Sequence, residues 1–165
     1  MERIGTFAVL QARRGKGLPA RWALLPVRIV VGLGFLAHGL AKWNRGPAKF
    51  AALLHQLGIP SPITAAWTTT AVEVLGGTAL LIGLWVAIAC VPLVATMLVA
   101  MFTIHVHYGF SAVNTVGLTS AGPQFGPPGY EINLLYIAIL VALAVSRPTA
   151  LSLDAVRHEE LSKAS

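Results

Sequence analysis

Residues 63–106 contain one Asp, Glu, Lys or Arg among 44 positions, and it is Glu73. As a single helix this run would be about 66 Å long. The hydrocarbon core of a bilayer is about 30 Å thick. A run too long for one crossing and too apolar for water has to fold back on itself as a hairpin of two spans. The turn is expected at Gly83-Leu84-Trp85, where a glycine can end a helix and Trp85 can sit at the interface. The spans are then residues 64–83 and 86–107, with Pro92 kinking the second.

Two more apolar runs flank this hairpin, residues 22–40 and residues 130–146. The second of them is near the lower length limit for a crossing. Charged residues make up 11% of the chain, against about 25% in soluble domains, and the deficit is concentrated in these blocks. The pattern predicts an all-α, integral-membrane four-helix bundle. It divides into a basic arm at residues 1–21, a four-span domain at residues 22–147 and a tail at residues 148–165. Residues 47–57 are expected to form a short amphipathic helix with Phe50, Leu53, Leu54 and Leu57 on one side, stopped by Gly58 and Pro60. The tail, with alternating charges, reads as a surface helix.

Four spans put both termini on one side. That side carries Arg3, Arg13, Arg14, Lys16, Arg21, Arg147, Arg157 and Lys163, whereas the other carries Lys42, Arg45 and Lys49. The positive-inside rule then makes both termini cytoplasmic. The same bias accounts for the net charge of +6 without a nucleic-acid partner; the lipid bilayer is the partner it implies. Cys90 is the single cysteine, so neither an intramolecular disulfide nor a C-x-x-C pair is available, and it reads as a small packing residue. No nucleotide-binding motif or nucleophile–base spacing is present.

A carboxylate in a lipid-length run costs about 2.5–3.5 kcal/mol to insert and usually marks a site. Glu73 is expected about 13 Å below the outer end of its span, on a face with Thr69, Thr70, Gly76 and Gly77 that turns it into the bundle. His38 and Lys42 share a helix face at the outer end of the first span. His105 and His107 end the third span, two residues apart, so an ideal helix cannot aim both inward. Tyr130, Glu131 and Asn133 open the fourth. The candidate site in the outer half therefore has Glu73, His105 and His38 as its catalytic groups, and Lys42, Glu131, Asn133, His107 and Tyr130 as binding groups. Arg28 is expected to snorkel to the inner headgroups. The uncharged loop at residues 108–129 reads as a lid over the site, with Phe110 and Phe125 as plugs.

Several segments together resemble the DoxX family of small four-helix membrane proteins. They are Phe35-Leu36-Ala37-His38-Gly39-Leu40-Ala41-Lys42, Val72-Glu73-Val74-Leu75-Gly76-Gly77, His105 four residues before Gly109-Phe110, Gly129-Tyr130-Glu131, and Leu151-Ser152-Leu153-Asp154. The resemblance implies a multi-pass protein of the bacterial inner membrane, grouped with oxidoreductases. It also implies a redox protein partner or a homo-oligomer. On that reading the chain is a redox-associated, quinone-interacting subunit: His105 or His38 donates to a quinone, Glu73 and Glu131 relay protons, and Lys42 supplies the counter-charge. Three alternatives stand beside it. One is a proton or small-solute transporter. Another is a metal or haem site built from His38, His105, His107, Glu73 and Glu131, which the nearby lysine opposes. The last is a non-catalytic scaffold or assembly subunit whose polar residues hold short helices in register.

Overall fold

A computed structural model describes residues 20–164 of the chain. Most of the basic arm, including Arg3, Arg13, Arg14 and Lys16, lies outside the described residues. After a helical turn at Ala20–Ala23, the long helices are α1 (Leu25–Arg45), α3 (Pro62–Ile82), α4 (Val86–Thr103) and α5 (Glu131–Val145). A connector helix α2 (Pro47–Gln56) and a tail helix α6 (Leu153–Ala164) complete the helical set. Three helices, beginning at Arg21, Pro62 and Val86, are long and apolar enough to cross a membrane, and α5 is a shorter apolar helix beside them. The architecture is a mostly helical membrane bundle, as the hydropathy pattern implies.

The hairpin turn falls where the sequence places it. Gly83 leaves α3 at φ 68°, and Trp85 starts α4 from a left-handed conformation at φ 48°. A side chain at Gly83 would collide with Ser152 and Arg28, so the turn is roofed by the C-terminal segment. Both helix boundaries at the end away from Gly83 differ from expectation. α1 continues to Arg45 instead of ending near Leu40, and α4 stops at Thr103, leaving His105 and His107 in a 3-10 turn, His105–Tyr108. In α2, Ala51 and Leu54 are buried against Ala66 while Leu53 is exposed, so the buried stripe is narrower than the apolar one.

Small residues set how the spans approach. A methyl group at Gly77 would stand 2.6 Å from the backbone nitrogen of Leu36, and one at Gly39 would stand 2.9 Å from that of Val74. α1 and α3 therefore meet backbone to backbone, which membrane helices use when no hydrophobic force separates protein from lipid. α4 packs on α3 and α5, whereas α1 touches α5 only slightly, through the edge of Phe35 on Tyr136. Val31, Phe35, Leu80, Cys90, Leu93, Leu140 and Leu143 form the core.

The uncharged loop is not wholly irregular. Thr115–Thr119 (β1) and Gly122–Phe125 (β2) pair antiparallel around Ser120-Ala121, with a bulge between Thr115 and Gly117. The all-α expectation is thus amended by one two-stranded hairpin. For orientation below, the end carrying this hairpin is the hairpin side, and the end carrying Gly83 and the tail is the termini side.

Candidate functional site

Glu73 is 3% exposed, held where Gly39 lets α1 settle onto α3. Lys42, one helical turn beyond Gly39, reaches down from the end of α1 and donates to Glu73 Oε1 at 2.5 Å. The Lys42 ammonium also lies 4.9 Å from the centroid of Phe50 on α2, a cation–π contact. Its side chain is 23% exposed, so the pair is buried at the carboxylate and reaches the surface at the amine. The second oxygen, Glu73 Oε2, is buried and has no partner among the described residues. Lone pairs buried without a donor are uncommon and point to a bound proton, water or ion.

The other predicted residues do not join this pair. His38 is exposed on α1. The buried stripe of that helix runs through Arg28, Val31, Gly32, Phe35 and Gly39, and His38 lies 100° from Gly39 around the helix. His105 is half-buried and its Nδ1 is 2.9 Å from the Pro128 carbonyl, which requires the Nδ1–H form. Glu131 Oε2 accepts from the Ala112 amide at 2.8 Å, so its contact is with the loop backbone and not with a histidine. His107 is exposed. Tyr130 sets its ring edge-on to Phe110, at 5.4 Å between centroids. Asn133 is buried in α5 and donates to the Met97 carbonyl of α4 at 3.3 Å, leaving Oδ1 unpartnered.

The expected pocket thus resolves into two groups. One is the Lys42–Glu73 pair between α1 and α3. The other, formed by His105 and Glu131, pins both ends of the loop at its base, where Gly129 and Tyr130 also bond back to Ser111 and Gly109. Phe110 and Phe125 are exposed, so they do not plug a cavity over Glu73. Among the described residues no three His, Cys, Asp or Glu side chains gather in a metal-binding arrangement. Apolar residues of α3 and α4 line a groove of about 460 Å³, in which Thr68 and Trp85 carry the side-chain donors. Thr68 and Ala79, both in its wall, are about 16 Å apart along the helix, and Trp85 lies beyond Ala79. A quinone head needs donors at both carbonyls of one ring, so this groove does not fit it.

Sequence reasoning missed a third polar cluster, on the termini side. Arg28 is 1% exposed. It donates to Thr149 Oγ1 at 2.6 Å and to the Leu151 carbonyl at 2.8 Å. This corrects the snorkelling expectation: the C-terminal segment comes to the guanidinium. Asp154 then accepts from the Trp85 and Val86 amides at 2.9 and 3.0 Å, capping α4. The signal available in the sequence was Asp154 itself, an acidic residue in the first turn of α6 that also serves the start of α4.

The DoxX family profile matches residues 23–106. The chain belongs to the DoxX family. The matched segment carries Arg28, His38, Lys42, Glu73 and His105 and stops before His107. An uncharacterized membrane protein of Mycobacterium tuberculosis, Rv3486, is 34% identical over 83 residues, 48% of this chain and 48% of its own length. The DoxX chain thus aligns with about half of that curated relative. No solved structure matches it.

Proposed function

We propose that this DoxX protein is an assembly subunit of a redox complex in the bacterial inner membrane, with its termini side cytoplasmic, holding a partner at the membrane rather than carrying the reacting centre. The reading rests on what the intramembrane and interfacial polar groups hold together. Lys42 joins Glu73 across 31 positions, Arg28 joins Thr149 across 121, Trp85 joins Asp154 across 69, and His105 joins Pro128 across 23. Each clamps two distant segments, on both sides of the bundle. That allocation builds a stiff frame from the four long helices. The redox assignment comes from the family resemblance, and the basic termini side supports the orientation.

A second reading is favoured by one observation, the unpartnered Glu73 Oε2: the Lys42–Glu73 pair accepts and releases a proton during turnover of the complex. One experiment separates the two. The tagged full chain is crosslinked in native membranes, its partners are identified, and complex turnover is measured for wild type and Glu73→Gln. The assembly reading expects a discrete redox partner and turnover within about twofold of wild type. A partner that stays bound while turnover collapses selects the proton reading. Recovery of the chain without a partner overturns both.

A further inference from the structure

A cavity of about 250 Å³ opens between α4 and α5 on the termini side. Its floor is apolar, made by Val86, Ala87, Leu143 and Ala144, and its rim carries Arg147 and Asp154. The Arg147 side chain is exposed. Among the described residues it has neither a hydrogen bond nor an ion pair, although Asp154 lines the same cavity. Asp154 is already turned to the Trp85 and Val86 amides. Arg28 stands behind the wall, bonded to Thr149, which also lines the cavity. Counted over Arg28, Arg147 and Asp154 alone, the charge is one positive.

The position decides what such a cavity meets. It lies where α4 begins and α5 ends, at the end of two apolar helices. Asp154 already occupies the Trp85 and Val86 amides at the start of α4, so the group left for an anion is Arg147. A free arginine beside an apolar lining matches a phosphodiester with hydrocarbon attached below it. Basic pockets between spans on the cytoplasmic side bind lipid headgroups by this chemistry.

We propose that this cavity is a phospholipid site, with the headgroup phosphate on Arg147 and the first carbons of the acyl chains against Val86, Ala87, Leu143 and Ala144. One excess positive charge suits a single phosphate, so a lipid such as phosphatidylglycerol is the ligand class. A free phosphate shares the headgroup chemistry but leaves the apolar floor wet.

The test uses the full chain, delipidated in mild detergent, and native mass spectrometry with added phosphatidylglycerol. Wild type is expected to retain one lipid through activation that strips the rest. Arg147→Gln is expected to weaken that binding about tenfold, the loss of one charge-assisted contact, with helicity unchanged because Arg147 holds nothing else. Ala87→Phe, which fills the floor without touching the charge, is expected to do the same, and Arg157→Gln on α6 to leave binding intact. Equal retention in wild type, Arg147→Gln and Ala87→Phe overturns the site. Displacement of the lipid by inorganic phosphate at comparable concentration reassigns it to a soluble anion and overturns the lipid.

Discussion

Removing Lys42 should cost far more than removing Lys42 and Glu73 together. In Lys42→Met the aliphatic stem over Phe50 is kept, but a carboxylate that is 3% exposed loses its counter-charge. Breaking a buried pair from one side costs about 3–5 kcal/mol. About 3 kcal/mol is therefore expected for Lys42→Met. Glu73→Met leaves a lysine that already reaches the surface and can swing to the interface, so about 1 kcal/mol is expected. The double variant, with an apolar pair at the same place, should fall within about 1 kcal/mol of wild type. The assay is reversible unfolding in mixed detergent micelles. Its reporter is built in, because Trp43 on α1 and Trp67 on α3 meet edge to face at 5.6 Å and separate when α1 leaves α3. A Lys42→Met loss under about 1 kcal/mol, or one equal to that of Glu73→Met, would refute the pair as a buried clamp.

Gly77→Ala should destabilise by about 1–3 kcal/mol and loosen the Trp43–Trp67 contact, because its methyl would press on the Leu36 backbone; unchanged fluorescence would count against the close crossing. Asp154→Ala removes both acceptors for the Trp85 and Val86 amides. It should cost about 1–2 kcal/mol, with faster hydrogen exchange confined to residues 83–88 and the tail. Glu131→Ala frees the Ala112 amide and should raise exchange across residues 109–130 while the spans keep their protection. Exchange that rises equally in α3 would show that the loop base also supports the bundle.

Features governed by the chain's own period and length were legible in the sequence. The fold at Gly83-Leu84-Trp85, the connector helix ending before Gly58, the tail helix and the nearness of Lys42 to Glu73 all follow from local rules. A charge-poor run must turn when it outgrows the bilayer, and a lone carboxylate needs a proton or a cation within reach. Lys42 meets Glu73 because Gly39 sits on the same stripe and admits α3. His38 stays apart from that pair, although it also shares a face with Lys42, since α1 packs chiefly on α3 and barely on α5. Helix phase says which residues share a face; it does not say which neighbour that face meets. His105 and Glu131 were placed at the correct end, but their partners proved to be backbone groups of an uncharged loop, which no side-chain pattern announces.

The sequence by itself determined that this chain lives in a membrane as several apolar helices, where it turns, and that Glu73 is a costly carboxylate inside an apolar span. Hydrophobic length and the cost of a buried charge decide those points, and both are properties of the string. Only the tertiary structure decided that Arg28 is buried under Thr149 and Leu151, that Asp154 caps a helix beginning 68 positions earlier, and that His38, His105 and His107 stay apart from Glu73. Those outcomes depend on which helices touch and how closely, and that is fixed by side-chain volumes meeting across interfaces that no single segment contains.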